Sequence, residues 1–151
     1  GKDIRSIYLL GPHANSVEIL LGNYYGLSGK MTTFLEGITA AVSPGTTVNY
    51  KQGFLLDREN INPIDWSTGN VNRHEITFIF GGISGLLEGE EGESIASEYA
   101  GDRLDYGLPD NQVEYLKKVA SINEGNPVVL VLTAGSPVDV KEVEPYVDAI
   151  I

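Results

Sequence analysis

Residues 126–137 read NPVVLVLTAGSP, and the run Val128 to Leu132 at their centre carries no polar side chain. A strand with one face in water alternates apolar and polar residues. A short uninterrupted apolar run instead fits a strand covered on both faces, the usual situation at the centre of a parallel sheet. Upstream, Pro109 suits the first turn of a helix in which Val113, Leu116, Val119, Ala120 and Ile122 share one face until Gly125 stops it. Before that helix, EITFIF (Glu75 to Phe80) is a second strand, ending in Gly81-Gly82. Strand, helix, strand is the unit that generates a parallel sheet.

The same alternation extends to the beginning of the chain. IRSIYLL (Ile4 to Leu10) is apolar and ends at Gly11-Pro12, as a largely buried first strand should. Thr33 and Glu36 have capping-box spacing, and Phe34, Leu35, Ile38, Ala41 and Val42 recur at helical intervals before Pro44-Gly45. TTVNYKQG alternates through Val48 and Tyr50 and predicts a strand that enters a loop at Gly53. The stretch DRENINPIDWSTGNVNRHE (57–75) keeps no period and predicts an irregular connection holding at most a helical turn. Val147 to Ile151 begins a further strand. The expected fold is α/β: a three-layer sandwich with a mostly parallel central sheet flanked by helices.

Composition limits what such a domain does. A chain of 151 residues, 42% hydrophobic and 21% charged, has the size and balance of one folded domain. A net charge of −11 with only ten Lys and Arg disfavours nucleic acid and anionic membranes as partners. Without cysteine there is no disulfide, thiolate nucleophile or cysteine-based zinc site, and the compartment stays open between cytoplasm, periplasm and secretion. No stretch approaches the ~20 apolar residues needed to cross a bilayer, so a soluble molecule is expected. The opening GKD and the apolar end EPYVDAII suggest one sandwich domain, residues 1–151, excised from a larger protein and incomplete at its C-terminus.

In open α/β sheets, ligands gather where strands end at their carboxyl edge. Three loops leave that edge: GPHAN, GGISGLLEGEEGE and TAGSP. GGISG is neither GxGxxG nor GxxxxGK[ST], which weakens a nucleotide reading. His74-Glu75 begins like HExxH, but Phe78 stands where the second histidine is needed, leaving His74 as a surface or strand-edge residue. Ser136 lacks the nucleophile-elbow spacing and reads as a turn cap. His13 offers a hydrogen bond to a ligand or to its own turn. Tyr24, Tyr25 and Trp66 offer flat faces for a sugar or seals for their loops.

The acidic loop carries five glutamates, at 88, 90, 91, 93 and 98, and GDR follows with a fixed cation at Arg103. Such a run is ordinarily a solvated face, and the alternating ligand pattern of an EF-hand is missing. Yet this one leaves a buried strand between glycines, and crowded carboxylates resist ionising together, which keeps one protonated for acid chemistry.

These residues resemble the C-terminal α/β sandwich domain of glycoside hydrolase family 3, the retaining β-glucosidases and β-xylosidases. The likeness runs in order through GPHAN, LLGNYYG, TTFLEGI, the Val-Ser-Pro-Gly turn, FGGISGLLEGEEG, GDRLDYGLPDNQVEYL and NPVVLVLTAGSPV. The resemblance implies that a nucleophilic aspartate lies on a separate N-terminal barrel domain. It also implies that the sandwich loop supplies the acid/base glutamate, here Glu90, with Glu88 and Glu91 as alternates. Tyr24, Tyr25 and His13 then bind substrate, Asp102 and Arg103 order the loop, and no metal or cofactor is required. Two features depart from the pattern: the polar crossover 57–75 replaces a frequently Ala-rich helix, and the chain stops before a Trp-Tyr-Pro-Gly-like segment. The implied activity is exo-acting release of β-linked glucose or xylose by the whole enzyme, the isolated domain being inactive. A non-catalytic carbohydrate-binding or structural module is the alternative, and a flavodoxin-like nucleotide or effector binder is the second.

Overall fold

A computed structural model describes residues 3–21, 26, 28–88 and 103–151 of the chain. Five strands form one sheet: β1 (Ser6–Leu10), β2 (Thr47–Lys51), β3 (Ile76–Gly82), β4 (Val128–Thr133) and β5 (Ala149–Ile150). Their spatial order is β2-β1-β3-β4-β5, and every pairing is parallel. Among the described residues three α-helices are interspersed: α1 (Phe34–Ala41), α2 (Gly85–Glu88) and α3 (Asp110–Ile122).

The alternation of side chains along each strand sorts the core into two layers. Ile7, Leu9, Phe78, Phe80 and Val131 face α1, where Phe34, Leu35 and Ile38 cover them. Tyr8, Leu10, Ile79, Val128 and Leu130 face α3, where Val113, Leu116 and Val119 close the second layer. β1 and β3 are therefore apolar toward both sides, as central parallel strands must be. Val48 and Tyr50 of edge strand β2 turn to the α1 side, so the alternation in TTVNYKQG reports a strand with one covered face.

Local signals set the helix boundaries. Thr33 caps α1: its hydroxyl accepts from the Glu36 N–H at 3.2 Å while the Glu36 carboxylate accepts from the Thr33 N–H at 2.9 Å. Pro109 is the extended residue just before α3, one position earlier than its first-turn placement on sequence. Gly81 and Gly82 belong to β3 itself and do not open the loop. Gly82 has φ 126°, and a Cβ there would stand 2.0 Å from the Thr133 carbonyl oxygen, so no other residue passes this strand end unstrained.

The connection from β2 to β3 has no α-helix; its one regular element is a 3-10 turn at Thr68–Arg73. Polar bonds order it. The Asp65 carboxylate accepts from the N–H groups of Ser67 (2.7 Å) and Thr68 (3.1 Å) and from both their hydroxyls (2.6 Å each). The Ser67 hydroxyl also meets Tyr115 at 2.6 Å, and the Tyr8 hydroxyl donates to the Ser67 carbonyl at 2.9 Å. Burial pushes the Tyr8 phenol up to about 12, so it remains a donor at any physiological pH.

His74 lies two residues before β3, as a strand-edge residue would, but the surface alternative is corrected: it is buried and stacks on Tyr8 with ring centroids 4.7 Å apart. Its Nδ1–H donates to the Asn70 carbonyl at 2.7 Å, and its Nε2 accepts from the Asn49 amide at 2.8 Å. With both nitrogens engaged, His74 is a joint between β2, β3 and the crossover. Trp66 is 71% exposed and seals nothing among the described residues.

Candidate active site at the carboxyl edge of the sheet

The order β2-β1-β3 means that the chain leaves β1 toward one side and returns on the other, which places a topological switch between β1 and β3. Loops diverge at such a point and leave a crevice beyond the carboxyl ends of the strands. A cleft of about 430 Å³ lies there, lined by Pro12 and His13 after β1, Gln52, Leu55 and Arg58 after β2, and Ser84 after β3.

His13 is 2% exposed, and its orientation follows from its neighbours. The Thr133 hydroxyl donates to the Gly81 carbonyl at 3.2 Å, so His13 Nδ1–H is the donor in the 2.5 Å contact with Thr133 Oγ1. Nε2 is then left as an acceptor, buried and without a partner among the described residues. Burial lowers the His13 pKa, partly offset by the Gly81 carbonyl, and so favours the neutral ring that this arrangement needs. The Ser84 hydroxyl, also lining the cleft, is likewise buried and unpartnered among the described residues.

The acidic loop starts within this architecture. Its first glutamate, Glu88, ends the short helix α2 and is 9% exposed. One carboxylate oxygen, Oε1, accepts from the Gly135 N–H at 2.5 Å, the Ser136 N–H at 2.8 Å and the Ser136 hydroxyl at 3.0 Å. Ser136 therefore holds a carboxylate from a distant loop, a role its turn-cap reading did not contain.

Gln112, on the first turn of α3, steadies the strand that precedes α2. Its Oε1 accepts from the Gly82 N–H at 2.9 Å, and its Nε2 donates to the carbonyls of Gly82 (2.8 Å) and Leu56 (2.7 Å). Sequence reading passed over Gln112 because a polar residue at a helix start normally faces water. Its only signal was its place on the apolar face, one residue before Val113.

Arg103 donates to the Gly107 carbonyl at 2.5 Å with its guanidinium largely covered, so it orders the segment that enters α3. Glu90, Glu91, Tyr24, Tyr25 and Asp102 lie outside the described residues. The structure thus brings His13, Ser84 and the root of the acidic loop to one edge of the sheet. Among the described residues no group of three His, Asp or Glu side chains is gathered as metal ligands.

Over residues 1–151 the chain matches the family described as the glycosyl hydrolase family 3 C-terminal domain. It belongs to that family. The family 3 domain is 31% identical over 140 residues to a β-xylosidase/α-L-arabinofuranosidase of Medicago sativa subsp. varia, a match covering 92% of this chain and 16% of the plant protein. A solved exo-β-xylosidase in complex with a xylobiose aziridine activity-based probe superposes with TM-score 0.78 at 27% identity, over 97% of this chain and 17% of that one. A mutant β-glucosidase from Listeria innocua in complex with laminaribiose superposes with TM-score 0.75 at 26% identity, over 97% and 18%. The chain spans about one sixth of the length of these relatives, which are glycoside hydrolases.

Proposed function

We propose that this family 3 domain supplies the acid/base half of a retaining, exo-acting β-glycosidase centre whose nucleophilic aspartate is carried by a neighbouring barrel domain. The observation that carries the proposal is the docking of Glu88 on Gly135 and Ser136, which roots the acidic loop at the carboxyl edge of the sheet beside the His13 cleft. Relatives named β-xylosidase and β-glucosidase support terminal β-linked xylose or glucose as the sugar released.

The chemistry is a double displacement. The aspartate attacks the anomeric carbon as the glycosidic C–O bond breaks, and Glu90 delivers its proton to the departing oxygen. In the second step the Glu90 carboxylate takes a proton from water, whose oxygen attacks the glycosyl-enzyme carbon and frees the aspartate. Glu88 and Glu91 flank Glu90 in sequence, and Asp102 and Arg103 order the far end of the loop. His13 lines a crevice that also holds Glu18, Asp57 and Arg58, and its Nε2, an acceptor without a partner among the described residues, suits a sugar hydroxyl, which can donate, better than an anion, which cannot. Tyr24 and Tyr25 add flat faces for the sugar ring.

In a longer chain carrying both domains, Glu90→Gln should lower kcat/KM for an unactivated disaccharide by about 10²- to 10⁴-fold, the range of a general acid. Hydrolysis of a dinitrophenyl glycoside, whose leaving group departs without a proton, should fall far less. Equal losses on both substrates would remove the acid role from Glu90. The 151-residue chain by itself should hydrolyse no aryl β-glycoside.

A further inference from the structure

The first glutamate of the loop is engaged in a way that sets it apart from a proton donor. Glu88 Oε1 carries three hydrogen bonds, all from residues of the loop after β4, 47 and 48 positions away. The side chain is therefore turned into its own domain. The receiving loop is shaped for it: a Cβ at Gly135 would stand 2.7 Å from Glu88 Oε2, so the carboxylate packs where only glycine leaves room. The other end of the root is clamped as well, since Gln112 takes both backbone groups of Gly82 and the Leu87 and Glu88 N–H groups donate to the Ser84 carbonyl at 2.9 and 3.0 Å.

We infer that Glu88 is a positioning residue, which pins the root of the acidic loop to the Gly135-Ser136 backbone so that a later glutamate of the loop is presented to the substrate. This rests on the glycosidase assignment above and adds a division of labour among the glutamates. Two residues of chain span at most ~7 Å, so fixing Glu88 confines its immediate successors in the chain. A displacement of about 1 Å at a reacting group costs on the order of 10²-fold in rate, which makes such an anchor consequential.

The test uses the longer enzyme containing this domain, with four single variants and one double variant measured on an unactivated disaccharide and on a dinitrophenyl glycoside. Glu88→Ala removes the anchor and should lower kcat/KM for the disaccharide by about 10²-fold. Glu88→Gln keeps an oxygen in the Oε1 position for all three donors and should restore activity to within about fivefold of the parent, with the alkaline limb of the pH profile unmoved. Gly135→Ala pushes the carboxylate off its seat and should reproduce most of the Glu88→Ala loss, the double variant losing no more than Glu88→Ala alone. Ser136→Ala, which deletes one donor and adds no atom, should show the same loss in smaller measure even where Gly135→Ala folds poorly.

The inference is overturned if Glu88→Gln is as damaging as Glu88→Ala, flattens the alkaline limb and is rescued by azide, because Glu88 is then itself the acid/base. It is also overturned if Glu88→Ala stays within threefold of the parent. Failure of the underlying assignment looks different: Gln substitutions at Glu88, Glu90 and Glu91 would each leave the dependence on leaving group unchanged.

Discussion

Two carboxylates in this domain hold loops, and they do so by opposite routes. Asp65 binds residues two and three positions ahead of it, and it is met by the Lys118 ammonium at 2.6 Å. Glu88 binds residues 47 and 48 positions away, with no cation among the described residues beside it. Asp65 organises its own segment and docks it on α3. Glu88 ties the root of one loop to the strand exit of another at the edge where the cleft opens. The difference separates an anchor that maintains the fold from one that aims a side chain, and substitutions can pull the two apart.

The largest expected contrast is in turnover. Asp65→Ala in the longer enzyme should leave kcat/KM for a disaccharide within about threefold, against the ~10²-fold loss expected for Glu88→Ala. Comparable losses from both would erase the distinction. Stability should reverse the order: Asp65→Ala should cost about 2–4 kcal/mol in urea unfolding, because the buried hydroxyls of Ser67 and Thr68 lose an acceptor. Glu88→Ala should cost about 1 kcal/mol, since the N–H groups it frees lie at the sheet edge within reach of water.

The Asp65 anchor also has a pH signature. Burial alone would raise its pKa, but Lys118, the hydroxyls of Ser67 and Thr68 and the Ser67 N–H outweigh that and hold the carboxyl well below the usual range. A folded-state pKa below the unfolded one adds stability that is complete above about pH 5 and is lost as pH falls toward the folded value. The stability gap between the parent chain and Asp65→Asn should accordingly be widest at neutral pH and close on acidification, measured by thermal unfolding across the range. A gap independent of pH would mean that the charge contributes nothing. The smallest effect belongs to Lys118→Met, at most about 1 kcal/mol, because an ammonium half open to solvent gains little from its partner.

Much of the architecture was legible in the chain because it is set by local chemistry and periodicity. The polar-free run at Val128 to Leu132 placed a doubly covered strand, Thr33 and Glu36 marked the start of α1, and the irregular 57–75 stretch is a crossover without an α-helix. The site was only partly legible. The positions of His13 and of Glu88, the first residue of the acidic run, at the carboxyl edge were legible because both follow strands. Of the surface and strand-edge readings of His74 the surface one fails, since nothing next to it in sequence shows that Tyr8 covers one face and Asn49 completes its bonding.

By itself the sequence determined the α/β class, because that is written in short-range patterns of apolar, capping and glycine residues, and its motifs in their order carried the resemblance to the family to which the chain belongs. Only the tertiary structure decided which groups Glu88, Gln112 and Ser136 bind. Their partners are dozens of residues away, and a hydrogen bond between distant segments leaves no periodic trace in either one.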